Sequence, residues 1–144
     1  MEHFVAKTVP VVLRSVSGQI EILVFEHPLA GVQLVKGTIE PGERPELAAV
    51  RELAEESGLI DVTKTVFWGK QTYADIGQSW YFYRCHFDDE LPDKWEFFTA
   101  DDNGHLFKFY WQPLEAKIDN PLGPVFELAR QFIDQLVKSR SDFE

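Results

Sequence analysis

The 144-residue chain carries 24 Asp and Glu against 14 Lys and Arg, a formal charge of −10, which disfavours long-range attraction to nucleic acid or an anionic membrane. With 44% hydrophobic and 14% aromatic residues it can bury a core without disulfides or a structural metal, and its length fits one domain spanning residues 1–144. The single cysteine, Cys85, excludes an internal disulfide and a thiolate metal site; with no signal-type or membrane-length apolar stretch, a soluble protein of the reducing cytoplasm is expected.

In chain order, the Val-rich stretch from Phe4 to Leu13, interrupted by Pro10, reads as a strand with an edge or bulge position. Ser17-Gly18 is a turn, Ile20 to Phe25 a second strand, and Val32 to Val35 a short third. A loop from Gly37 to Gly42 leads to a helix from Pro45 to Ser57: proline suits the first helical position and Gly58 suits the residue just past the end. Beyond it, Thr63 to Tyr73 and Trp80 to Phe87 are aromatic-rich strands, and Trp95 to Ala100 and Leu106 to Trp111 flank an Asn-Gly hairpin signal at 103–104. Apolar residues at helical spacing from Leu122 to Lys138 predict a second, amphipathic helix. The sum is an α/β domain with a mixed sheet and at least two helices.

The first helix carries the strongest chemical signal. On a wheel of about 100° per residue, Leu47, Ala49, Val50, Leu53 and Ala54 fill one half, while Arg51, Glu52, Glu55 and Glu56 fill the other with small Ala48 among them. Glu52 stands three and four residues before Glu55 and Glu56, so three carboxylates project from one face. A hard divalent cation would relieve their repulsion, and an oxygen-only set suits Mg²⁺ or Mn²⁺ better than Zn²⁺. A solvated acidic face would give the same helix pattern, and the preceding loop is what separates the two readings.

That loop supplies Gly37, then five residues, Glu43, then seven residues, then Arg51-Glu52-Leu53-Ala54-Glu55-Glu56-Ser57-Gly58-Leu59. Over residues 37–59 the pattern resembles the Nudix box at every defining position, that of the MutT-like hydrolases. The resemblance implies an α/β/α sandwich with a catalytic loop–helix–loop. It also implies metal ligation by Glu52, Glu55 and Glu56 with the backbone carbonyl near Gly37, orientation of the carboxylates by Arg51, and support of the loop by Glu43. The implied reaction is Mg²⁺-dependent attack of water on a phosphoric anhydride, with Mn²⁺ the other ion that suits the site. Glu52 or Glu56 is the candidate proton acceptor, and Glu96, Asp101 and Asp102 are candidates for an acid outside the box.

The implied substrate is a small nucleotide-like molecule: a nucleoside triphosphate, a dinucleoside polyphosphate or a nucleotide sugar. Scattered Lys36, Lys64, Lys70 and Lys108 disfavour RNA. Trp68, Tyr73, Trp80, Tyr81, Trp95 and Trp111 are the aromatics on expected strands, each either core or a stacking surface. No substrate-binding residue is singled out, and the resemblance also allows a homodimer. His3, His27, His86 and His105 lack metal-ligand spacing. The competing reading is a Nudix-fold module that binds a nucleotide without cleaving it, which loss of box carboxylates would favour; all three are present.

Overall fold

The computed structural model describes residues 3–100 and 104–140. Strand β1 (Val5–Val11) pairs in parallel with β7 (Gln78–Phe87), which pairs antiparallel with β6 (Val62–Tyr73); on its other side β1 meets the two-residue β5 (Gly37–Thr38). This is a mixed four-stranded sheet in the order β5-β1-β7-β6. Because β5 pairs only Lys7 and Thr8, Pro10 has no ladder partner on that side, and its missing N–H costs nothing there.

The expected strand from Phe4 to Leu13 in fact divides at Val12, where the chain leaves the mixed sheet for a second, antiparallel one. That sheet runs β2 (Leu13–Val16), β3 (Gln19–His27), β9 (His105–Pro113), β8 (Lys94–Thr99), with β4 (Gly31–Gln33) also paired to β3. The Ser17-Gly18 turn has positive φ at both residues, 51° and 81°, as a two-residue hairpin joining β2 to β3 requires. The β8–β9 hairpin forms as the Asn-Gly signal predicts, although its tip at 101–103 lies outside the described residues, and Asp101 and Asp102 with it.

Two helices cover the sheets, each over its own core. Helix α1 (Pro45–Ser57) sends Leu53 into a cluster with Val12, Leu23, Phe25, Val35, Cys85, Phe107 and Phe109. Helix α2 (Val125–Ser139) packs Phe126, Ala129, Ile133 and Val137 into a larger cluster with Val9, Val11, Trp80 and Phe82. The layers are thus α/β/α, and only one of the two sheets is mixed. Helix α2 starts at Val125 rather than Leu122, which is 75% exposed. Asn120 explains the delay: its side chain accepts the Leu122 N–H at 2.8 Å and donates to the Val32 carbonyl at 2.8 Å, turning the chain before the helix can begin.

Cys85 is 1% exposed, and burial pushes its thiol up to about 12. The native protein is expected to resist a thiol reagent at pH 8 and to react with one equivalent only after unfolding; rapid native labelling would contradict this.

Candidate active site

The residues singled out in the loop and first helix converge on one guanidinium. Arg51 donates through Nε to Glu43 Oε2 at 2.7 Å and through Nη2 to Glu43 Oε1 at 2.9 Å, a two-pronged pair. Its Nη1 donates to Glu52 Oε1 at 2.8 Å and to Glu55 Oε1 at 3.1 Å, while Nη2 also reaches the Thr38 carbonyl at 3.1 Å. One side chain therefore joins loop residues 38 and 43 to two carboxylates of α1.

Local sequence explains how the loop reaches that position. The Glu43 N–H bonds the Glu40 carbonyl at 3.0 Å across a turn that needs Gly42 at φ 78°, and the Glu40 N–H donates back to Glu43 Oε1 at 3.1 Å. Pro45 then opens α1 with no side-chain cap, and Gly58 ends it at φ 79° with its N–H on the Ala54 carbonyl. A Cβ at Gly58 would come within 2.7 Å of the Phe97 ring, so the helix end also needs glycine for space. Trp95 fixes the same end by donating to the Ser57 carbonyl at 2.9 Å.

The polar half of the helical wheel is more buried than its composition suggests. Ala48 and Glu52, one turn apart, are 0% and 7% exposed, whereas Leu47, assigned to the apolar half, is 54% exposed. The reason is the strand and loop packed on this side. Small Ala48 admits β1, whose Thr8 hydroxyl donates to the Pro45 carbonyl at 3.3 Å, and Glu52 lies against Gly37. A Cβ built on Gly37 would fall on the Glu52 carboxylate itself, so only glycine leaves room for that group.

Hydrogen bonds from Arg51, and then the Glu40 N–H, push the Glu43 carboxyl down to about 2, and its carboxylate raises Arg51 in turn. A carboxyl lowered on folding adds stability that is complete above its ordinary value near ~4.3 and is lost as pH falls through about 2. Protection of the Glu40 amide against hydrogen exchange, taken relative to the intrinsic rate at each pH, is therefore expected to hold down to about pH 4 and to fall between there and about pH 2. In Glu43→Gln this pH step should vanish; a step that persists would assign it to another acid.

Among the described residues, no three His, Cys, Asp or Glu side chains are arranged as a ready metal cluster. The structure instead gathers Glu43, Glu52 and Glu55 about Arg51, with Gly37 directly beside Glu52 and Glu56 on the next position of the same helix. Glu96 is not brought to the group. Trp95 and Phe97 on either side of it face the α1 core, so alternation along β8 directs Glu96 to the opposite face of the sheet. Of the aromatics, Trp80 is 0% exposed beneath α2 and Trp68 is 7% exposed, so both are core.

The chain as a whole has relatives among known proteins. The family model of the NUDIX domain matches residues 5–136. Among solved structures, a Caenorhabditis elegans Ap4A hydrolase in binary complex is similar at TM-score 0.61 and 19% identity, covering 94% of this chain and 99% of that one. A MutT Nudix hydrolase from Burkholderia pseudomallei gives TM-score 0.60 and 22% identity, covering 92% and 99%. The NUDIX domain of Shewanella oneidensis NrtR, complexed with ADP ribose, gives 0.53 and 15%, covering 79% and 75%. Comparison with curated proteins finds no match. The box on α1, its loop and the match over most of the chain together show that this protein belongs to the Nudix family.

Proposed function

We propose that the protein is a metal-dependent pyrophosphohydrolase that splits a phosphate–phosphate bond in a nucleoside diphosphate joined to another group. The observation that carries this reading is the bare backbone at Gly37, against which the buried Glu52 carboxylate sits in the space a side chain would fill, bringing carboxylate and loop backbone together. Glu52, Glu55 and Glu56, with the Gly37 carbonyl, would hold the divalent ion; the donors are all oxygen, which fits Mg²⁺ or Mn²⁺. When bound, such an ion offsets phosphate charge and makes a water nucleophilic near neutral pH.

Arg51 contributes by orientation. Its hydrogen bonds restrict the rotamers of Glu52 and Glu55 before any substrate arrives, and its grip on Glu43 and the Thr38 carbonyl keeps the loop against the helix. Glu52 or Glu56 receives the proton of the attacking water, which meets phosphorus in line with the departing phosphate. The named neighbours act on or bind dinucleoside tetraphosphate and ADP ribose, which supports a nucleotide-derived substrate in general terms.

The test is a Mg²⁺-dependent hydrolysis screen over nucleoside triphosphates, nucleotide sugars, ADP-ribose and dinucleoside polyphosphates, with products identified by mass. Chelator-sensitive cleavage of any of them supports the proposal, and the product pair names the bond. A folded protein that cleaves none of them with Mg²⁺ or Mn²⁺ would overturn it in favour of a module that binds without cleaving.

A further inference from the structure

Most edges of the two sheets are blunted by devices of the chain's own. Strands β5, β4 and β2 have two, three and four residues, and β6 breaks register twice, between Val62 and Lys64 and between Phe67 and Gly69. Strand β8 has neither protection. It stands last in the antiparallel sheet and runs six residues, without proline, in one unbroken register from Lys94 opposite Tyr110 to Thr99 opposite His105. Among the described residues β9 is its one strand partner, so its other edge is available to a further strand.

The side chains on this edge say which strand would fit. On the face turned away from α1, β8 presents Lys94, Glu96 and Phe98, all exposed. Sheet register sets Glu96 opposite Lys108 of β9, and Lys108 opposite Glu26 of β3. Glu26, Lys108 and Glu96 therefore form one exposed row across three strands with alternating sign, an order that favours cross-strand pairing. The row stops at the β8 edge on a negative charge. A cation suits the next place.

Strand β8 itself carries that cation at the spacing a two-fold axis needs. When two copies of one strand pair antiparallel about an axis perpendicular to the sheet, residues equally far from the axis meet, and each face stays on its own side. An axis at Trp95 sets Lys94 of each copy opposite Glu96 of the other and lengthens each row to Glu26, Lys108, Glu96, Lys94. It also brings Phe98, which is 64% exposed, opposite the exposed Pro92 of the second copy. An axis at Glu96 would set the two glutamates against each other, and one at Phe97 would put Glu96 opposite Phe98. The charges thus select one register. Lys94, which discourages a strand with no acid at the matching place, becomes complementary when the partner is another copy of this strand.

We propose that two copies of this protein pair through β8, antiparallel about Trp95, so that their antiparallel sheets join into one with both α1 helices on the same face. Pairing of one short strand is small beside the ~1,600 Å² of a standard interface, so the dimer is reversible, with an expected dissociation constant of roughly 10–100 µM.

The experiment is analytical ultracentrifugation of the full chain at low ionic strength, over about 5–500 µM, with a thermal melt of each variant. Wild type is expected to pass from monomer to dimer across this range. Lys94→Glu and Glu96→Lys each replace both attractive pairs by repulsive ones, and each alone should raise the dissociation constant about tenfold or more. An equimolar mixture of the two variants restores Glu opposite Lys at both places and should associate as tightly as wild type, a recovery that a local loss of folding would not give. Wild type that stays monomeric throughout would overturn the proposal. So would single variants that dimerise as tightly as wild type, which would put the interface elsewhere, or a mixture that associates no better than either variant alone.

Discussion

Glu52→Gln is expected to lower metal-supported turnover by about 10²-fold or more while leaving the fold in place, the scale at which loss of a single preorganised charge-stabilising group acts. The change keeps the side-chain shape, so the close fit against Gly37 survives, and the remaining amide oxygen can still accept from Arg51 Nη1. What disappears is one negative charge at the most buried of the three box carboxylates. Glu56→Gln should act in the same direction. Steady-state kinetics at saturating Mg²⁺, beside a thermal melt of each variant, makes the comparison; unchanged turnover in both would remove these residues from the metal site.

Gly37→Ala is expected to impair both stability and turnover. The backbone at Gly37 is not in the left-handed region, so the argument is one of space: the added methyl would occupy the position of the Glu52 carboxylate. Either the carboxylate swings away, which spoils the proposed ligand set, or β5 moves off Thr8, which opens the loop. Overpacking of a close contact typically costs about 1–3 kcal/mol. A denaturant series on Gly37→Ala, Glu52→Ala and the double variant separates the causes. If the collision is responsible, most of the destabilisation by Gly37→Ala vanishes in the Glu52→Ala background. Additive losses would show that Gly37 matters for another reason.

The loop and first helix were legible because their signals are local. Pro45 and Gly58 mark the two ends of α1 by backbone chemistry that depends on near neighbours only, and the structure has the helix at Pro45–Ser57. The strand order of the second half and the amphipathic stripe of α2 could likewise be read from side-chain periodicity. The boundary at Leu122 was misplaced because its apolar side chain continues the stripe, while the bond from Asn120 to Val32 that stops the helix crosses 88 residues of sequence. The break at Val12 was hidden for a related reason: a run of valines reads as one strand whichever sheet receives its second half.

By itself, then, the sequence determined the class of site: an acidic triplet at helical spacing, an arginine beside it, and a loop with glycine and glutamate at set distances. Those features depend on helix geometry and backbone conformation, which act within a few residues. Only the tertiary structure decided that Glu52 is buried while Glu55 keeps 44% of its side chain exposed, that Arg51 binds the loop and the helix at once, and that Trp80 is core while Tyr73 borders a cleft. Each of these turns on which surface packs against which. A helical wheel knows the direction of a side chain but not what stands opposite it, and here β1 and the Gly37 loop, brought in by sheet pairing, convert a seemingly solvated acidic face into a partly enclosed one.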